Sequence, residues 1–237
     1  MMLPVDTEVL ASPEAVAQRA CDLIMAAAQA AIRERGVFRL VMAGGGTPKQ
    51  AYALLAQTPQ DWDKWELYWG DERCLPVDDP ERNSQLTLPT PHRYPIPAEL
   101  GAEAAAQAYV QTIVDKLPFD LVMLGMGEDG HTASLFPGDE GLGVYGIRPS
   151  LSPLTIAVHN APKPPPDRVS LTEIALQNCH QQLVLVTGAG KTEAMSAWQA
   201  GADLPIARVV RADACLLLDA AVGIQDLNGQ NTASFDH

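Results

Sequence analysis

The sequence predicts an α/β fold: a three-layer, open, mostly parallel sheet with helices on both faces, Rossmann-like in outline. Three observations predict it. Short apolar runs alternate with helical segments along the chain, the pattern of parallel strands joined by crossover helices. Three of those runs end in glycine, in "VMAGGG", "LVMLGMG" and "LVLVTGAG". Ligands of open parallel sheets bind in the crevice beyond the carboxyl ends of the strands, so the loops after these runs are expected to converge. The length of 237 residues suits one such domain, and no repeat, low-complexity tract or linker divides it. Residues 1–237 are therefore read as a single domain.

The elements follow in order. Ser12 is placed to cap a helix, Pro13 fits its first turn and Glu14 is an early acid. An Ala-rich helix runs from there to about Arg35, where Gly36 stops it. "VFRLVMA" is a strand, and "GGGTP" leads into a helix over "PKQAYALLA". "KWELYWG" is the next strand, and the polar, proline-containing "DERCLPVDDPERN" is read as a loop. "AEAAAQAYVQTIVDKL" has the composition and apolar spacing of a helix. "FDLVMLGMG" is a buried strand, "LTIAVHN" another, and "APKPPPDR" a rigid loop. "QLVLVTG" is a third buried strand, followed by a helix over "AGKTEAMSAWQAG". "ARVVRA" and "ACLLLDAAVG" read as short closing strands, or a strand and a turn. The polar tail, about residues 228–237, is expected to fray.

Composition excludes several classes. Hydrophobic residues make up 47%, as in a globular protein. The net charge of −13 argues against nucleic acid or an anionic membrane as partner. No apolar run approaches a membrane span, and "MMLPVDTEVL" has neither the basic nor the apolar region of a signal peptide. Cys21, Cys74, Cys179 and Cys215 form no zinc-like pair and read as scattered reduced thiols. A cytoplasmic protein, a monomer or weak dimer without metal or cofactor, is the expectation. An anionic substrate would need a local basic pocket in so acidic a chain, which makes the few Arg and Lys inside motifs informative.

Two motifs tempt and fail. Gly125, Gly127 and Gly130 fit G-x-G-x-x-G after a strand. That fingerprint also requires an acid about twenty residues on to hold a ribose. Around position 150 the chain reads "IRPSLSPL", with no acid. "GAGKT" at 188–192 looks like the end of a Walker A loop, but the glycine required five positions before Gly190 is Leu185. The local physics survives: glycines before a helix N-terminus, with Lys191, make a phosphate corner. "AGGGTP" at 43–48 repeats the device, with backbone N–H groups and the Thr47 hydroxyl. Asp71, Glu72 and Arg73 follow a strand end, and His131 follows Asp129-Gly130 where the crevice should lie. Taken alone, each is more often a solvated charge, a surface or structural residue, or a tight turn.

Together, "GGGTP", "DERCLP", "LGMGEDGHTASLFPG", "PPDRVSLT" and "TGAGK", spanning Gly44 to Lys191, resemble the 6-phosphogluconolactonases. Their superfamily also holds the glucosamine-6-phosphate deaminases. "GHTASLFPG" and "DER" favour the lactonase side, because the deaminases carry G-H-I-A-F-N-E-P and D-E-Y types of sequence there. Three positions in two motifs depart from the family pattern: S-G-G-S-T-P reads Ala43-Gly44-Gly45-Gly46-Thr47-Pro48, differing at Ala43 and Gly46, and a Ser-Asn pair reads Arg82-Asn83.

The resemblance implies hydrolysis of 6-phosphoglucono-1,5-lactone, a phosphorylated sugar lactone, in the oxidative pentose phosphate pathway. It makes His131 the catalytic residue and requires no metal. Asp129 either orients the imidazole or serves the loop. Gly45, Gly46, Thr47, Arg73, Arg168 and Lys191 are the candidates for holding the phosphate dianion. A deaminase-isomerase and a non-catalytic sugar-phosphate binding protein stand as the alternatives.

Overall fold

The computed structural model describes residues 6–138 and 154–223. The tail at 228–237 and the stretch around position 150 lie outside the described residues. Seven parallel strands form the main sheet: β1 (Asp6–Leu10), β2 (Phe38–Met42), β3 (Trp65–Trp69), β5 (His92–Tyr94), β6 (Phe119–Gly125), β9 (Cys179–Val186) and β10 (Cys215–Asp219). Their order across the sheet is β1-β10-β9-β6-β2-β3-β5. A second, antiparallel sheet holds β4 (Asp71–Arg73), β8 (Arg168–Leu171) and β7 (Thr155–Val158), in that order. The helices are α1 (Pro13–Arg35), α2 (Gly46–Leu55), α3 (Ala102–Ile113), α4 (Glu173–Gln177), α5 (Thr192–Gln199) and α6 (Pro205–Val209).

The strand order locates the ligand site. From β2 the chain progresses outward to β3 and β5; from β6 it progresses the other way, to β9 and β10. The direction of winding reverses between β2 and β6, which are neighbours. A crevice opens at such a switch point because the loops leaving the two strands diverge. The glycine-ended strands β2, β6 and β9 lie side by side there. β6 is buried at six consecutive positions, Phe119 to Leu124. Successive strand side chains point to opposite faces, so both faces of the sheet are covered.

α1 forms for the reasons its boundaries announce. The Ser12 hydroxyl accepts from the Ala15 amide at 3.3 Å, and the Gly36 amide donates to Ile32 O at 2.9 Å. Val16, Ala17, Ala20, Cys21, Ile24, Ala27, Ala28 and Ala31 are its buried face, at helical spacing. Small alanines let α1 pack closely with α2 and against the sheet.

Three readings are corrected. The segment opening with "DER" is not loop throughout: Asp71–Arg73 is β4, pairing Asp71 with Ser170 and Arg73 with Arg168. Gly70 joins the two sheets, its amide donating to Met42 O at 3.0 Å while its carbonyl accepts from the Leu171 amide at 2.8 Å. "ARVVRA" is not a strand, because its first three residues lie in α6. Pro205 stands at the first turn and fixes a helical φ. Ile206 and Val209 are buried, and Arg208 Nε donates to Glu173 of α4 at 2.8 Å. These contacts override the strand preference of the valine pair. Finally, the helix expected over "AGKTEAMSAWQAG" opens with a 3-10 turn, Ala189–Lys191, before α5 begins.

Candidate active site

The turn after β6 presents His131. The Gly127 amide donates to His131 O at 2.8 Å, and the Gly130 amide to Gly127 O at 3.1 Å, which folds the loop back on itself. Gly130 has φ +81, a conformation that a side chain would strain. The start of α6 braces it, as the Ile206 amide donates to Gly130 O at 3.1 Å. Asp129 Oδ1 lies 2.5 Å from His131 Nδ1 and also accepts from the His131 amide at 3.2 Å. The imidazole is tilted against the Phe136 ring at 4.8 Å. Among the described residues no hydrogen bond takes Nε2, so it is the ring nitrogen open to chemistry.

Burial pushes the His131 pKa below its ordinary 6.5, against the opposing pull of Asp129. Burial alone would raise the Asp129 pKa, but its hydrogen bond and attraction to His131 hold it below the ordinary carboxylate range. The pair is therefore a neutral imidazole oriented by an ionised carboxylate at pH 7, the arrangement of a general base.

Gly127 is required by close approach. A Cβ there would lie 2.0 Å from His131 Nδ1 and 2.6 Å from Asp129 Oδ1. Gly127→Ala is expected to push the ring off its carboxylate and to cut kcat tenfold or more (about 1.4 kcal/mol), with the fold retained. Steady-state kinetics beside a thermal melt checks this; full activity in a folded variant would contradict the contact.

A cavity of about 350 Å³ opens at the switch point. The β2 loop (Gly44, Gly45), the β6 loop (Gly125, Gly127, His131) and Lys191 line it, as do Asp71, Arg73 and Arg168 from the second sheet. Gly46, Thr47 and Asp129 are not among its lining residues. Gly46 and Thr47 form the first turn of α2, whose N-cap is Gly45 with no capping side chain. The Thr47 hydroxyl is engaged with that of Thr187 at 2.6 Å, tying the β2 loop to the β9 loop.

The cations differ in how far the protein already uses them. Arg73 Nη1 donates to Glu81 O, while its buried Nε has no partner among the described residues. Arg168 Nε and Nη2 donate to the carbonyls of Pro165 (3.1 Å), Lys163 (2.8 Å) and Pro164 (3.1 Å). Its Nη1 reaches Ser134 Oγ only at 3.5 Å. Burial lowers the pKa of both Arg168 and Lys191, with Asp71 and Glu128 respectively opposing.

Asp71, Asn83 and Lys163 also line the cavity and are not among the binding candidates read from the sequence. Asp71 accepts from Ser134 Oγ at 2.6 Å and from Asn83 Nδ2 at 2.9 Å. Nothing local in the sequence announces these contacts across the chain. Lys163 had one signal, its place in a proline-rich loop. Arg82, one of the departures from the family pattern, points away from this chemistry: it is buried against Glu72 and Glu99.

Among the described residues, Asp6, Glu8 and Cys215 are the one group spaced to hold a metal ion, and none of them lines the cavity. No helix of the described chain is long and apolar enough to cross a membrane.

A parallel α/β sheet with an imidazole–carboxylate pair and several cations at its switch point has the form of an enzyme site suited to a small anionic ligand. Residues 11–218 match the family model described as glucosamine-6-phosphate isomerases/6-phosphogluconolactonase, and the chain belongs to that family. A 6-phosphogluconolactonase of Mycobacterium tuberculosis is 36% identical over 203 residues, covering 76% of this chain and 80% of that protein. The Mycobacterium leprae 6-phosphogluconolactonase is 34% identical over 214 residues, covering 79% of this chain and 83% of that one. The crystal structure of a 6-phosphogluconolactonase from Shewanella baltica superposes with a TM-score of 0.81 at 25% identity, covering 93% of this chain and all of the other.

Proposed function

We propose that this chain hydrolyses 6-phosphoglucono-1,5-lactone to 6-phosphogluconate, with His131 activating the water. The observation that carries the mechanism is the 2.5 Å contact between His131 Nδ1 and Asp129, which leaves Nε2 on a cavity-lining ring free to take a proton. The similarity to 6-phosphogluconolactonases supports the substrate. Water bound near Nε2 gives up a proton to it as its oxygen attacks the lactone carbonyl carbon. The tetrahedral intermediate collapses by breaking the bond to the ring oxygen, and the imidazolium returns the proton to that leaving oxygen. A carboxylic acid and a hydroxyl result, the acid releases its proton to solvent to become the carboxylate, and the base is regenerated.

The test is 6-phosphogluconate formation from fresh lactone, corrected for the spontaneous rate, with a parallel assay for ammonia release from glucosamine 6-phosphate. Ammonia without lactone hydrolysis would replace this reading with the deaminase one. No dependence on a metal is part of the proposal, so turnover is expected to survive a strong chelator.

The phosphate grip has its own expected result. Arg73→Ala and Lys191→Ala should each lose about ten- to a hundredfold in kcat/KM on the phosphorylated lactone, the scale of one charge-assisted contact. Unphosphorylated gluconolactone has no phosphate to lose, and its hydrolysis should be unchanged. Equal losses on both lactones would remove these residues from the phosphate.

A further inference from the structure

The proline-rich loop between β7 and β8 is held more firmly than a surface loop needs to be. Arg168 grips three successive carbonyls, those of Lys163, Pro164 and Pro165. The Ala161 amide donates to Pro166 O at 2.9 Å, closing the loop on itself, and the Cys74 amide donates to Asp167 O at 3.0 Å. At its base, His159 lies between Asp167 (2.8 Å) and Glu103 of α3 (2.6 Å). The guanidinium also lies over Phe136, the ring that packs against His131. One buried arginine thus couples the loop to the catalytic histidine.

What this framework carries into the cavity is Lys163, an exposed lysine with no salt bridge among the described residues. We propose that Lys163 is a further catalytic residue, whose ammonium meets the lactone carbonyl oxygen as that oxygen gains negative charge. This rests on the lactone-hydrolase reading and adds to it the group that stabilises the oxyanion. The clamp fixes the backbone from which Lys163 projects, so the cation is kept at the cavity and stabilises the developing charge there. Arg168 is unsuited to that part, since Nε and Nη2 are already spent on carbonyls.

Electrostatics agrees with the placement. The charged groups acting on His131 are Asp129 from its own loop, Lys163 from the clamped loop and Asp71 from β4; Lys163 disfavours the imidazolium and the two carboxylates favour it. Lys163 therefore also helps keep the base unprotonated.

The experiment compares the parent with Lys163→Met and Lys163→Arg. Lys163→Met should lower kcat about ten- to a hundredfold, less than the loss of a fully buried oxyanion donor because this lysine is hydrated. The same factor is expected on phosphorylated and unphosphorylated lactone, with partial recovery in Lys163→Arg. Proton NMR titration should show the His131 pKa higher in Lys163→Met than in the parent, its signal assigned by absence from His131→Ala. A loss confined to the phosphorylated lactone would move Lys163 to the phosphate and overturn the proposal. An unchanged kcat or an unmoved His131 titration would overturn it as well. A parent without lactonase activity sinks the underlying reading, an outcome distinct from an active parent indifferent to Lys163.

Discussion

His131→Ala is expected to fold as the parent does and to lose a factor of about a hundred to ten thousand in kcat, the range for removing a general base. Deleting the ring does not disturb the turn, because the hydrogen bonds that fold it run between the backbones of Gly127, Gly130 and His131. Kinetics on the corrected lactone assay, with circular dichroism to confirm the fold, makes the measurement. A folded variant within a few-fold of the parent would exclude the role. The parent's pH profile offers a second check on the same group. Burial lowers the His131 pKa, so the neutral base persists below pH 6.5 and the acid limb of kcat/KM should fall below that value. Asp129→Asn should move this limb lower still, because Asp129 favours the imidazolium. It should also lower the plateau, because the ring loses its orienting partner. A limb at or above pH 6.5 in the parent would mean that a different group sets the profile.

Arg82→Ala is expected to cost about 3 to 5 kcal/mol of stability, the usual result of removing one partner from a buried ion pair. Arg82 and Glu72 side chains are 2% and 0% exposed and approach to 3.4 Å, an ion pair without hydrogen-bond geometry. Arg82 also donates to Glu99 at 2.8 Å and to Ile96 O at 2.7 Å. Without it, the Glu72 carboxylate keeps the amides of Arg73, Asn83 and Ser84 but no cation. Chemical denaturation of the two proteins measures the loss, and a change under about 1 kcal/mol would contradict it. The double variant Arg82→Met with Glu72→Gln separates charge burial from packing. It should recover part of the stability, since the uncompensated charge is gone while the glutamine side-chain oxygen can still accept from these amides. Because these same amides hold Arg73 and Asn83 at the cavity edge, kcat/KM should fall in Arg82→Ala even below its melting temperature.

The legible parts of the fold were those with strong local chemistry. β2, β6 and β9 are apolar runs ended by glycine, and α1 carries a cap, a first-turn proline and a terminating glycine. The missed strands β1, β4, β5 and β8 are three to five residues long, and β1 and β5 lie at the edges of the main sheet, where half-exposed residues leave no apolar run to detect. α4 is a single short helix capped by Thr172, too brief for periodicity to register. At the site, the glycine loops and His131 could be read because backbone freedom and a reactive ring leave marks in sequence. Asp71 and Asn83 could not, since their placement depends on Ser134 and on β4 pairing with β8 nearly a hundred residues away.

The edge of the main sheet has a consequence for synthesis. β1 and β10, the first and last described strands, are hydrogen-bonded neighbours, and β10 alone connects β1 to β9. While the ribosome is still making the last part of the chain, β1 has no strand to join and the outer edge of β9 is unpaired. An unpaired edge beside apolar residues is a template for association with other chains. Final closure must therefore wait until "CLLLD" has left the exit tunnel, whatever has folded before it. A nascent chain arrested just short of Cys215 should consequently engage chaperones more strongly and resist protease less well than one arrested a tunnel's length beyond Asp219.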